Sequence, residues 1–214
     1  MRNKNRFRFI CLLFLGLSLQ GQNAFGLPIM LSIEPSTIDI SIGDIVSFDV
    51  KISGLEGDAF DPNAPSLSTY DLDVLFDSTI LTYRDTTFGD PVLGNQLDLF
   101  GFGSIQSAAD LGTLANVFEL SLDLPFDLVD FQAGFFTLFT IDFDATAAGT
   151  SDASLSVLAL GDEWGDPLDA SVTNARIEVK ATSVPEPSIL LLFVLGLVGL
   201  GFGRKVSRVI KTQE

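Results

Sequence analysis

The sequence predicts an all-β fold, an antiparallel β-sandwich of about eight to nine strands between an N-terminal signal-peptide helix and a C-terminal hydrophobic helix. Three observations carry this. Apolar and polar residues alternate with period two in one segment after another, the pattern of strands with one buried face. Turn-forming groups separate these segments: Gly43-Asp44, Ser53-Gly54, Asp61-Pro62, Gly89-Asp90-Pro91, Ala148-Gly149 and Gly165-Asp166-Pro167. In the body, no helical period lasts beyond about two turns, residues 125–132 being the best short candidate.

Taken in order, residues 37–42 alternate Ile38, Ile40 and Ile42 with polar neighbours, and residues 46–53 set Val46, Phe48, Val50 and Ile52 against Ser47, Asp49 and Lys51. Residues 70–77 are expected to bury Tyr70, Leu72, Val74 and Phe76, leaving Asp71 and Asp73 on a solvated face. By the same alternation, residues 118–124 are expected to bury Phe118, Leu120, Leu122 and Leu124. Further strands are predicted at 80–88, 135–143, 154–160 and 175–180. The glycine-rich stretch from Phe88 to Gly112 is either a functional loop or a partly paired edge hairpin.

The ends of the chain have a different character. Arg2, Lys4, Arg6 and Arg8 precede an apolar run from Phe9 to Leu19, and small residues follow at Ala24 and Gly26. That is the layout of a secretory signal peptide over residues 1–26, with the mature chain starting at Leu27. Residues 181–188 form a linker containing Pro185-Glu186-Pro187. An apolar segment (189–203) and a basic tail (204–214) opening with Arg204-Lys205 come next. Ile189 to Phe202 would make a helix about 21 Å long, and the basic end keeps it oriented with the tail in the cytoplasm and the body outside.

Between leader and tail the body, residues 27–180, holds four basic and 26 acidic side chains, a net charge of −22. A field of that sign repels nucleic acid and favours divalent cations or basic partners. The only cysteine, Cys11, lies in the leader, so the exported body has neither a disulfide nor a thiol nucleophile. The chain contains no histidine, which removes histidine-based catalysis and His/Cys zinc sites. An Asp/Glu pair serving a secreted carbohydrate-active enzyme is the rival reading, and it requires two carboxylates facing each other in a groove.

Oxygen-rich loops make calcium the candidate cofactor, with Asp58, Asp61 and Asn63 in one cluster and Asp162, Glu163, Asp166 and Asp169 in another. The competing reading of both clusters is turn formation by Asp. Trp164, in the second cluster, either folds back as a lid on the sandwich or stacks on a sugar ring, with Tyr70 and Tyr83 as weaker glycan contacts.

Two resemblances add to this. Val184-Pro185-Glu186-Pro187-Ser188, the apolar run and Arg204-Lys205 are similar to the PEP-CTERM sorting signal of Gram-negative bacteria. The resemblance implies export across the inner membrane, recognition of the Pro-Glu-Pro by an exosortase-type membrane enzyme, and delivery to the cell surface or an extracellular polysaccharide matrix. Residues 31–55 and 70–94, with the Gly43-Asp44 turn, Phe76-Asp77 and Leu81, resemble the cohesin-like domain, as do residues 139–168. That likeness implies a non-enzymatic jelly-roll sandwich over residues 27–180 that binds a dockerin-like protein module or a polysaccharide.

Overall fold

The computed structural model describes residues 28–37, 39–55, 65–182 and 193. The predicted leader, the Pro-Glu-Pro with its hydrophobic segment and basic tail, and the cluster Asp58, Asp61 and Asn63 lie outside the described residues. Among the described residues, no helix is long and apolar enough to cross a membrane.

Described elements run β1 (Ile29–Pro35), β2 (Ile40–Ser41), β3 (Ile45–Ser53), β4 (Thr69–Leu75), β5 (Leu81–Phe88), β6 (Ser104–Asp110) and β7 (Leu114–Ser121). A short α1 (Pro125–Phe131) precedes β8 (Phe135–Ala145), β9 (Gly149–Gly161), β10 (Ala170–Thr173) and β11 (Ala175–Lys180). They form two sheets, ordered β10-β1-β3-β8-β5 and β2-β11-β9-β4-β7-β6. The strands pair antiparallel except at two edges, where β1 with β10 and β11 with β2 run parallel. A parallel neighbour needs a crossover, and both pairs are made by segments far apart in sequence.

The sheets pack face to face in a jelly-roll-type sandwich, and aromatic side chains fill the space between them. Phe143 lies 4.6 Å from Phe76 and 5.9 Å from Phe48 between ring centroids, while Tyr70 stacks on Phe139 at 5.8 Å. Phe48, Tyr70, Phe139 and Phe143 are fully buried, each phenylalanine stabilising the fold by about 1.5–3 kcal/mol through removal from water.

Most predicted strands are present with shifted ends. β1, β6 and β10 are additional, and among the described residues of the strand expected over 37–42 only the two of β2 are paired. β1 does alternate, burying Ile29, Leu31 and Ile33, but the apolar Met30 on its outer side blurs the period. β6 has no buried face, so it left no hydrophobic signal, and the stretch from Phe88 to Gly112 is accordingly a loop followed by an edge strand. A three-residue connection joins β6 to β7. Gly112 takes φ 92° there, donating its N–H to Asp110 Oδ1 at 2.9 Å, while the Leu111 N–H donates to the Leu114 carbonyl.

β7 corrects the expected phase. Its buried face carries Ala115, Val117, Glu119 and Ser121, whereas Phe118 and Leu120 turn outward and Leu122 and Leu124 are exposed beyond the strand. Small Ala115 and Val117 suit a side of the sandwich already filled by Tyr70 and Phe139. Glu119 is tolerated inside because every oxygen it buries is hydrogen-bonded.

α1 lies in the connection from β7 to β8. Pro125 opens it at a position where the missing N–H costs nothing, Asp127 sits in its first turn, and Leu128 is its one buried side chain. Gln132 then ties the helix end to the body, accepting from the Leu67 N–H at 2.6 Å and donating to the carbonyls of Leu67 and Gln96.

Candidate interaction face

The inverted phase of β7 gives the six-stranded sheet an apolar outer surface. Register places Leu120 between Ile105 of β6 and Thr69 of β4, Phe118 between Ser107 and Asp71, and Leu114 beside Leu75. On the far side of β4, Ala159 lies opposite the outward Asp71, and a register shift in β9 beside it leaves Leu158 exposed. Ile105 is 52% and Leu158 57% exposed, so the strip is open to solvent.

A polar group sits within this strip. Asn116 donates from Nδ2 to Asp71 Oδ1 at 2.7 Å and to Asp73 Oδ1 at 2.9 Å, holding two carboxylates side by side on β4. Each carboxylate keeps further acceptor capacity beyond its bond from Asn116. The outer face of the five-stranded sheet is different in kind. Lys51 pairs with Glu34 at 2.7 Å and Arg84 with Asp144 at 2.9 Å, and Asp49 and Asp85 share that surface. The hydrogen bond from Lys51 lowers the Glu34 pKa and in turn raises that of Lys51.

Behind the apolar strip lies Glu119, fully buried. Its Oε1 accepts from Asn95 Nδ2 at 2.6 Å, Ser104 Oγ at 2.6 Å and Gln106 Nε2 at 2.8 Å, and its Oε2 accepts from the Tyr70 hydroxyl at 2.9 Å. All four donors are neutral. The carboxylate thus fastens β6 and the loop before it to β7 and β4. Burial, reinforced by the Glu119 charge, pushes the Tyr70 hydroxyl pKa far up. Sequence patterning missed Glu119, because a buried acid breaks the apolar alternation that locates strands.

A second exposed apolar group lies at α1. Phe126 of α1 meets Trp164 edge-to-face with ring centroids 5.6 Å apart, and Phe131 meets Phe100 likewise at 5.5 Å. Trp164 is 61% exposed, resting on a helix side chain that is itself exposed, so it is not a lid folded onto the core. Tyr70 is corrected as a glycan contact, since its ring is buried against Phe139. Tyr83 is half-buried, with its ring edge-on to Phe143 and its hydroxyl 3.0 Å from Thr86 Oγ1.

The acidic loop is built as a turn. Asp162 Oδ1 accepts the N–H groups of Trp164 and Asp166, and Glu163 Oε2 accepts from the Ser66 N–H and hydroxyl. Among the described residues, no three acidic, histidine or cysteine side chains converge on a point that could hold a metal ion, so Asp162, Glu163, Asp166 and Asp169 are not assembled as a cation site. A cleft of about 420 Å³ between the Asp90–Leu93 turn and Phe135–Thr137 does contain two carboxylates, Asp49 and Asp90. Both have structural partners. Asp90 accepts from the N–H groups of Val92, Leu93 and Thr137, and Asp49 accepts from the Thr140 hydroxyl.

Two curled sheets with one short helix have the fold of cohesin modules. The chain is similar to a non-cellulosomal cohesin from the archaeon Archaeoglobus fulgidus, with a TM-score of 0.52 and 15% identity over 73% of this chain and 94% of that one. It is similar also to the sixth cohesin of Acetivibrio cellulolyticus scaffoldin B, solved with a dockerin, at TM-score 0.54, 21% identity, and 72% and 99% coverage. A type II cohesin from the cellulosome of the same organism gives 0.54 and 18%, covering 70% and 95%. At these identities the likeness is one of fold. The C-terminal residues 183–205 match the PEP-CTERM protein-sorting motif, the span that holds Pro185, Glu186, Pro187, Arg204 and Lys205. The motif marks the protein for export and a cell-surface or extracellular location. No curated protein matches the chain.

Proposed function

We propose that this chain is an exported, non-catalytic binding protein whose tail is handled by an exosortase-type enzyme of a Gram-negative inner membrane and whose sandwich docks a protein module on the outer face of β9-β4-β7-β6. The observation that carries the docking face is the outward turn of Phe118 and Leu120 beside Ile105, around the paired carboxylates Asp71 and Asp73. An apolar centre with a few fixed acceptors suits a partner presenting apolar side chains flanked by Lys, Arg or amide donors. A dockerin-like module is the partner class that the fold suggests. The paired Asp side chains complement basic groups and select against acidic competitors.

The test is direct binding of dockerin-like modules encoded by the source genome, measured by calorimetry on the wild type and on Phe118→Asp and Leu120→Asp. Loss of binding in both variants, with unchanged melting, supports this face. Binding that survives both moves the site elsewhere, and binding of extracellular polysaccharide in place of any protein module overturns the partner class. Intact mass of the native protein tests the tail: a mass ending near residues 184–187 supports processing, and a mass running to Glu214, found only in membranes, supports a permanent anchor.

A further inference from the structure

β6 is an open sheet edge of an unusual kind. It closes one side of the six-stranded sheet, pairs with β7 over all seven residues without a register shift, and is exposed almost throughout. Among the described residues, no backbone group of Ser104–Asp110 bonds to anything but β7. Natural sheets blunt such edges with bulges, charges, proline or shortness. The other edges here show those devices: β5 is bulged next to Arg84 and Asp85, β10 has four residues and β2 has two. β6 has none, its only charge being the terminal Asp110. Glu119 holds this edge rigid through Ser104 and Gln106.

We infer that β6 is a homodimerisation edge, pairing antiparallel with β6 of a second copy about a two-fold axis at Ser107. A strand added to this edge must match it in length and tolerate close approach, and β6 itself does both. Centring on Ser107 overlaps all seven residues. It sets Ser107 against Ser107, Gln106 against Ala108, Ile105 against Ala109, and Asp110 against Ser104, so no like charges meet. Ser107, Ala108 and Ala109 are small enough for the second backbone to approach, and Ile105, otherwise half in water, gains an apolar neighbour. The net charge of −22 on each body opposes association, but at 0.15 M salt it is screened beyond about 8 Å, and the edges themselves are nearly neutral. Pairing would merge two sheets into one of twelve strands and set two apolar faces side by side. Dimerisation needs no partner, so it stands or falls separately from the docking proposed above.

The experiment uses the full chain in mild detergent with Cys11→Ser, which leaves it free of cysteine. Ser107→Cys is compared with Ile105→Cys under mild oxidation. Across the proposed axis, positions 107 are direct neighbours, whereas positions 105 are about 14 Å apart, beyond disulfide reach. The expected result is a disulfide-linked dimer at least ~10-fold more abundant for Ser107→Cys, with the Ile105→Cys/Ala109→Cys double variant linking as well. Light scattering on the wild type is expected to give a dimer. Ile105→Lys/Ala109→Lys should weaken that dimer about tenfold, and Ile105→Lys/Ala109→Glu should preserve it. A monomeric wild type overturns the inference. Equal cross-linking at positions 105 and 107 overturns it too, because association would then come from another surface, such as the hydrophobic tail.

Discussion

Replacing Glu119 with Ala removes the acceptor of four hydrogen bonds at once. Tyr70, fully buried, then keeps a hydroxyl that water cannot reach, at a cost of about 1–3 kcal/mol. Gln106 is exposed and Asn95 and Ser104 are half-buried, so those three donors recover much of their bonding from solvent and add about 1 kcal/mol together. The expected loss is therefore about 2–4 kcal/mol. Glu119→Gln should cost under ~1.5 kcal/mol, since its carbonyl keeps the three donors on one side and its amide can donate to the Tyr70 oxygen. Urea unfolding of the three proteins at pH 7 measures this. A Glu119→Ala loss below about 0.5 kcal/mol would show that the buried carboxylate holds nothing, and the argument for a rigid β6 edge would go with it.

Other outcomes follow from the same structure. Because the Tyr70 pKa is raised in the folded state, its contribution is complete below the unfolded value near 10; above that, stability should fall by about 1.4 kcal/mol per pH unit, and Tyr70→Phe should flatten this slope in alkaline melts. Burial pushes the Asp90 carboxyl up, but the N–H groups of Leu93, Thr137 and Val92 outweigh it and hold its pKa low; the stability it confers is present above pH ~4 and lost on acidification, so Asp90→Asn should lower the melting point at pH 7 and matter less near pH 3. Gly54 takes φ 86°, and a Cβ there would sit 2.5 Å from the Pro28 carbonyl oxygen, so Gly54→Ala should destabilise by more than about 1 kcal/mol in thermal unfolding. Phe143→Ala, which empties the meeting point of Phe48, Phe76 and Tyr83, should cost about 3–5 kcal/mol by urea titration.

What could be read from the sequence was whatever periodicity encodes. β3 and β4 bury the alternating residues expected of them, because each of those residues is apolar or aromatic and the polar residues between them face outward. β7 was legible as a strand but not in its phase, since Phe118 and Leu120 look like core until the register with β6 and β4 places them outside. An exposed apolar face and a core face have the same composition; only tertiary position separates them. β6 left only the open alternative of a partly paired edge hairpin between Phe88 and Gly112, because a strand of Ser, Gln and Ala is defined by the neighbour it pairs with. The acidic loop at 162–166 was visible as a cluster, but composition cannot tell a hydrogen-bonded turn from a cation site.

The last strand also has a mechanical consequence. β11 ends at Lys180, and the sorting motif begins at residue 183, so any pull on the tail enters the sandwich through β11. That strand is not an edge: β9 pairs along Ala175–Val179 on one side, and β2 grips Val179 and Lys180 on the other. Tension along its axis loads these pairs together in shear, so the domain resists flow or a tethered partner by sharing the force across the ladder, where a strand peeled from its end would surrender its bonds one by one.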